Sequence, residues 1–242
     1  MTDAASHLAG QTAIVTGASN GIGKALTHQL LDAGVRVAMV GRDKGRLERA
    51  AGDADPAVYM ALECDVRDDS QVRAMTARVA REWGRADILV NCAGLYMIGP
   101  LTELTNDVWD DLWRTNVNGT IFPTRAVLPG MLERKHGIIV VLSSVAAHRG
   151  FANNTAYAAT KYAVTGFARA LTTEVRRKGV RVVNAFIGPV DTEMWADKSL
   201  PLERGDMLTP HEVASAIINA ITVSDRQVLE DILLLPQAGI YT

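Results

Sequence analysis

Tyr157 and Lys161 stand four residues apart, a spacing that on a helix puts both side chains on one face, one turn apart. A phenol titrates near ~10 and exchanges protons poorly at neutral pH; an ammonium beside it favours the phenolate and draws that value down. Such a pair can give a proton to a carbonyl oxygen or take one from a hydroxyl. The spacing also occurs in exposed helix pairs that do nothing, so the rest of the chain has to decide. A second candidate is the run Thr16-Gly17-Ala18-Ser19-Asn20-Gly21-Ile22-Gly23. Its glycines let a backbone turn sharply and approach a pyrophosphate, and a helix starting there offers free N–H groups and a positive dipole end. The spacing G-x-x-x-G-x-G departs from the general dinucleotide fingerprint G-x-G-x-x-G, and a purely structural turn is the alternative. Ser143 and Ser144 end an apolar run with two hydroxyls that strand alternation points opposite ways. Asn116 lies inside a long helical pattern, where asparagine is a poor choice. Pro123 lacks the N–H that would reach the Gly119 carbonyl, so the helix is expected to loosen there, with room for a water between Asn116 and Lys161.

The elements that must carry these residues follow from periodicity. Short apolar runs at 13–16, 35–40, 58–62, 88–91, 138–142, 180–186 and 228–235 read as strands. Amphipathic stretches at 22–33, 44–51, 70–83, 108–132, 155–177 and 210–222 read as helices. Strand–helix alternation predicts parallel strands joined by right-handed crossovers with helices on both faces, and most of the runs are continuously apolar, as strands buried on both sides should be. The glycine turn then falls between the first strand and first helix, and Tyr157 and Lys161 fall near the start of the fifth long helical stretch. The segment Glu193–Leu208 breaks the pattern and reads as a flap beside the strands' carboxyl ends, where ligands bind; an ordinary surface loop is the alternative.

Length and composition bound the function. A chain of 242 residues suits one open α/β domain. A net charge of −2 gives no electrostatic case for nucleic acid or an anionic membrane, and the aliphatic runs are too short to span a bilayer. Cys64 and Cys92 are in no metal spacing and read as reduced thiols. With Asp3 and no apolar core, the N-terminus does not look like a signal peptide, so a cytoplasmic location is expected. The histidines His28, His136, His148 and His211 fit no metal site, and no metal is expected.

Thr16–Gly23 resembles the Thr-Gly-x-x-x-Gly-x-Gly turn of the short-chain dehydrogenase/reductase family. The resemblance runs from about Gln11 to Pro236 and takes in Asp65, Asn91-Cys92-Ala93-Gly94, Asn116, Ser144, Tyr157-x-x-x-Lys161 and Gly188-Pro189-Val190-x-Thr192. It implies a Rossmann-type, doubly wound, mostly parallel seven-stranded sheet in a single domain, 1–242, and an active-site tetrad of Asn116, Ser144, Tyr157 and Lys161. Of the two serines, the family separation to the tyrosine selects Ser144. The residues implied to hold the cofactor are Gly17, Ser19, Asn20, Gly21, Ile22, Gly23, Arg42, Asp65, Val66, Asn91, Cys92, Ala93, Gly94, Tyr157, Lys161, Gly188, Val190 and Thr192. Asp65 matches the family's adenine contact; as a helix cap, Asp68 or Asp69 is the better candidate. Cys92 replaces a second asparagine, and Ile187 replaces the usual proline before Gly188.

The second strand ends Val40-Gly41-Arg42-Asp43. A carboxylate at that strand end selects NAD through the ribose, whereas arginine suits a 2′-phosphate. Gly41 stands where the NAD-selecting acid would be and Arg42 follows it, so NADP(H) is favoured over NAD(H); Asp43 is the nearest group that could still serve the ribose. Asn20 stands where family members using NADP often carry a second basic residue. The expected activity is hydride transfer between nicotinamide and a carbonyl or secondary alcohol of a small molecule. Two alternatives stay open. One is reduction of 3-oxoacyl groups on acyl carrier protein, which needs a basic patch that Arg149, Arg176, Arg177 and Lys178 could form. The other is a non-catalytic NADP(H)-binding regulator. Ala158, Ala159, Ala163 and Gly166 permit close helix approach, so a homodimer or homotetramer is expected, unless these residues pack on their own sheet. Substrate choice is expected to rest on the flap with Tyr96, Met97, Ala146 and Phe151.

Overall fold

In the computed structural model, residues 7–195, 203–224 and 226–240 are described. The flap stretch 196–202, and the first six residues of the N-terminus, lie outside them. Seven strands, β1 (Thr12–Thr16), β2 (Arg36–Gly41), β3 (Tyr59–Glu63), β4 (Ile88–Asn91), β5 (Gly137–Leu142), β6 (Val180–Ile187) and β7 (Asp231–Leu234), form one sheet in the order β3-β2-β1-β4-β5-β6-β7. Every pairing is parallel. Alternate strand residues feed two cores. Ala13, Val15, Val37, Met39, Ile88 and Val90 face α1 (Gly21–Asp32), α2 (Lys44–Ala51) and α7 (Pro210–Ile221). Ile14, Ala38, Val40, Leu89, Ile139 and Val141 face α3 (Asp69–Trp83), α5 (Gly119–Arg134) and α6 (Thr155–Val175). Each valine, leucine, isoleucine or methionine side chain buried in this way contributes about 1.5–3 kcal/mol, which is why the strands read so plainly as apolar runs.

The helix expected over 108–132 is divided. A short helix, α4 (Asn106–Leu112), passes into a π-helical turn at Trp113–Asn118 before α5 begins. There the Gly119 N–H reaches the Arg114 carbonyl, five residues back. The loosening therefore precedes Pro123 and surrounds Asn116. Strand β7 is half the expected length, because it lies at the sheet edge where Leu233 stays 55% exposed. No helix among the described residues is long and apolar enough to cross a membrane.

Strand order reverses direction about β1 and β4, each of which is followed by a crossover to the opposite side. The register Thr16↔Val40 and Thr16↔Asn91 brings the carboxyl ends of β1, β2 and β4 level. A crevice outside those ends is the consequence.

Candidate active site

That crevice is a cavity of about 1030 Å³, lined by the residues that follow β1, β2, β3, β4, β5 and β6. Its floor is the glycine turn. A Cβ on Gly17 would meet the Ala93 backbone at 2.9 Å, and one on Gly23 would lie 2.3 Å from the Gly17 carbonyl oxygen, so glycine is required at both. Thr16 ties the floor together: its hydroxyl accepts from the N–H groups of Cys92 and Ala93, both at 3.1 Å, and donates to the Val90 carbonyl. Asn20 caps α1, its Oδ1 accepting from the Gly21 N–H.

Gly17, Ser19, Asn20, Gly21, Ile22, Arg42, Asp65, Val66, Cys92, Ala93, Gly94, Gly188, Val190 and Thr192 all line the cavity, as do Ser144, Tyr157 and Lys161. Three expected residues do not. Gly23 sits one step behind the turn, pressed on Gly17. Asn91 is buried and turned away, its Nδ2 donating to the Thr124 hydroxyl at 3.0 Å; the side chain anchors β4 to α5. Asn116 lies behind the wall, with its amide engaged by backbone: Oδ1 accepts from Leu95 N at 2.7 Å, and Nδ2 donates to Leu95 O and to the Thr160 hydroxyl. Its side chain therefore braces the loop after β4 and makes no hydrogen bond to Lys161. Asp43 caps α2, its Oδ1 accepting from the Arg46 N–H, and it is not among the residues lining the cavity. Asp68 caps α3.

Where α6 borders the cavity, it presents Tyr157 and Lys161 on one face, with the Lys161 Nζ 5.6 Å from the phenol ring centroid. Lys161 donates to the Leu142 carbonyl at 2.8 Å. The Ser144 hydroxyl is hydrogen-bonded to Tyr157 and accepts from the Ala146 N–H. Ser143 points the other way and pairs with the Thr165 hydroxyl at 2.8 Å. Tyr96 packs edge-on to Tyr157 with ring centroids 4.7 Å apart.

The ionisation of this end corrects the expectation from spacing. Burial pushes the Tyr157 phenol above its ordinary value, more than the Ser144 hydrogen bond pulls it down, and Tyr96 adds to the rise. Burial likewise lowers Lys161 to about 8. Helical spacing supplies a neighbouring ammonium, but not the water that keeps both groups near their ordinary values. Desolvation is the largest cause of both shifts. Cys92, beneath Lys161, is pushed up to about 12 by burial, with Lys161 acting in the opposite sense.

At the other end stand groups that the sequence does not single out. Arg67 grips Asp65 through several hydrogen bonds and also reaches Asp111 at 3.1 Å. Burial alone would raise the Asp65 carboxyl, but the Arg67 bonds hold it below its ordinary value, and Arg42 adds to the effect. Arg46 and Glu193 also line this end. Only the fold shows these partners, since Arg46 and Glu193 are 147 positions apart. Tyr96, Met97, Ala146 and Phe151 form the wall near Tyr157, joined by Ile98, Met194 and Ile240.

The family model for short chain dehydrogenases matches residues 11–202. An oxidoreductase of Staphylococcus saprophyticus is 34% identical over 218 residues, covering 89% of this chain and 92% of its own. Among solved structures, a short-chain dehydrogenase from Streptomyces avermitilis is 30% identical with a TM-score of 0.84, covering 93% of this chain and 88% of that one. The closed form of a serine dehydrogenase complexed with NADP+ is also 30% identical, with a TM-score of 0.86 and coverage of 96% and 97%.

Proposed function

The chain belongs to the short-chain dehydrogenase family of oxidoreductases, and from that premise we propose that it transfers hydride between NADP(H) and the carbonyl or secondary alcohol of a small, largely apolar molecule. One observation carries the reading: Tyr157, Ser144 and Lys161 converge on the wall of the cavity whose floor is the Gly17–Gly21 turn. The residues present fit a dinucleotide. The backbone at Gly17 leaves no room for a side chain, the start of α1 offers N–H groups and a positive dipole end, and Arg42 and Arg46 line the cavity's charged end where a 2′-phosphate would need them. The solved relative bound to NADP+ favours the same cofactor.

When bound, the nicotinamide supplies or accepts the hydride. Ser144 and Tyr157 hold the substrate oxygen between two hydroxyls, and Tyr157 transfers the proton to or from that oxygen. With its phenol raised by burial, Tyr157 carries its proton at neutral pH, the form that reduction consumes. Lys161 lies beside Tyr157 and, once charged, stabilises the phenolate that remains. Asn116 fixes the loop carrying Gly94 to Tyr96, and so positions the wall that faces Tyr157.

Two features bear on the alternatives. The substrate end is walled by Tyr96, Met97, Ile98, Ala146, Phe151 and Met194, which suits an apolar carbonyl compound. Arg176, Arg177 and Lys178 follow the far end of α6, roughly 28 Å of helix from Tyr157 at ~1.5 Å per residue. They cannot join Arg149 in a patch beside the site, and this counts against an acyl-carrier-protein partner. A homodimer or homotetramer in the cytoplasm remains our reading. It is supported by Gly166, which is exposed on α6 with nothing within 4 Å of the point a Cβ would occupy; the small residues there do not all pack on their own sheet.

The test is turnover of ketones, aldehydes, sugars and acyl thioesters with NADPH and NADH in parallel. Tyr157→Phe is expected to lose nearly all turnover while keeping NADPH binding. Retained turnover would remove the phenol from the mechanism, and NADPH binding without turnover on any substrate would favour the regulator instead.

A further inference from the structure

The segment after β6 lies across the glycine turn. The Thr192 Cγ2 sits 3.1 Å from where a Gly21 Cβ would be. The next residue, Glu193, reaches between the starts of α1 and α2. Its Oε2 accepts from Asn20 Nδ2 at 2.5 Å and faces the Arg46 guanidinium at 3.4 Å. Asn20, Arg46 and Glu193 all line the cavity, together with Arg42. A carboxylate from the flap side of the cavity is thus held by the basic group that, with Arg42, makes this end suitable for a phosphate.

We propose that Glu193 is a specificity-determining residue: its carboxylate competes with the cofactor's 2′-phosphate for Arg46 and so sets how strongly the chain distinguishes NADP(H) from NAD(H). This rests on the reading that the cavity takes a nicotinamide dinucleotide. Carboxylate and phosphate both pair with the fork of guanidinium donors, and a phosphate on Arg46 has the Glu193 charge as a close, like-charged neighbour. Among the described residues the other cations of this end are disposed differently. Arg67 is shared by Asp65 and Asp111, Lys44 faces Glu48, and Arg42 makes no ion pair. Glu193 therefore neutralises one of the two arginines left for a phosphate. The Glu193–Arg46 pair is 71% and 50% exposed, and an exposed pair of this kind is weak. A phosphate can displace it, but at a cost in affinity that an unphosphorylated cofactor does not meet.

The experiment is equilibrium binding of NADPH and NADH to the full-length chain, and to Glu193→Gln, Arg46→Gln and the double variant, at low and at physiological salt. Glu193→Gln is expected to tighten NADPH about three- to tenfold and to leave NADH within about twofold. The gain should vanish in the Arg46→Gln background and shrink as salt screens the charge. Glu48→Gln, an exposed carboxylate change on the same helix as Arg46, is the control for net charge and should leave the ratio unaltered. An unchanged NADPH/NADH ratio in Glu193→Gln, an equal loss for both cofactors, or the same gain in Glu48→Gln would each overturn the proposal. If the unaltered chain binds neither dinucleotide, the cofactor reading itself fails; that result is distinct from these.

Discussion

The two ends of the cavity are built on opposite principles. At the end lined by Arg42, Asp65, Arg67 and Glu193, charges pair in partial contact with water; Arg67 and Asp65 are about a quarter exposed, and Arg46 and Glu193 half or more. At the end lined by Ser144, Tyr157 and Lys161, Ser144 and Lys161 are buried and bonded to backbone, and the half-buried Tyr157 is bonded to Ser144. Water screens the first set, so any one member can change at small cost. The second set has no such tolerance, because a buried polar group that loses its partner carries the whole desolvation penalty. On the proposed reading, preference for a cofactor is thus the adjustable property of this chain, and the proton-transfer group the rigidly specified one.

The sharpest way to break this contrast is Lys161→Met. Turnover is expected to fall by about 10²-fold or more, the range for loss of acid–base assistance, while at neutral pH the burial penalty that methionine lifts offsets the cost of leaving the Leu142 carbonyl without its donor. Burial lowers Lys161 to about 8, below the ~10.4 of an unfolded lysine. Between those values the unfolded chain binds a proton that the folded chain does not. Stability therefore rises as pH climbs from about 8 toward ~10.4, and the burial penalty is present in full below about 8. Methionine fills a similar volume and has no such penalty. Thermal unfolding from pH 7 to 10 checks this: the unaltered chain should gain stability across the window relative to the variant. Parallel curves would show that Lys161 is not a strained ammonium and that water reaches the catalytic end.

Asn116→Leu comes next. It removes partners from the N–H and C=O of Leu95 and from the Thr160 hydroxyl, and each buried group left unpaired costs about 1–3 kcal/mol. The midpoint of denaturant unfolding should drop, and turnover should fall with it, because Leu95 precedes the Tyr96 ring that packs on Tyr157. Full stability with reduced turnover would confine Asn116 to proton relay. The sequence flags this residue for a sound reason, a poor helix former in the middle of a helix, but it cannot show the π-helical turn or the backbone the amide braces.

The same division runs through what is legible. Strands buried on both faces announce themselves, and the glycine turn and Tyr157–Lys161 pair depend on local spacing, so all are readable. Asn91 is misplaced by sequence reasoning because residue type does not say which side of a strand end its side chain takes; the amide reaches Thr124 on α5. Spacing reports the Lys161 neighbour of Tyr157 but not the burial that raises the phenol. Arg46 and Arg67 escape notice because an arginine in or just before a helix's first turn looks like any solvated charge until the fold sets a distant carboxylate, Glu193 or Asp111, against it.

The smallest effect belongs to the exposed end. Arg42→Gln should raise the KM for NADPH about tenfold, equivalent to ~1.4 kcal/mol, with NADH scarcely affected and kcat unchanged. A guanidinium that only holds a remote phosphate contributes equally to the ground and transition states, so its loss appears in KM alone. The penalty should also shrink as salt is raised from about 0.01 M, where charges act over roughly 30 Å, to about 0.15 M, where the range is about 8 Å. Steady-state kinetics at the two salt concentrations separates the cases. If kcat falls as far as kcat/KM, Arg42 is felt at the reacting atoms, and the two ends of the cavity are coupled through the cofactor rather than independent. Such coupling would transmit any change at the screened end to the dry one, and cofactor preference could not then drift without cost to the chemistry.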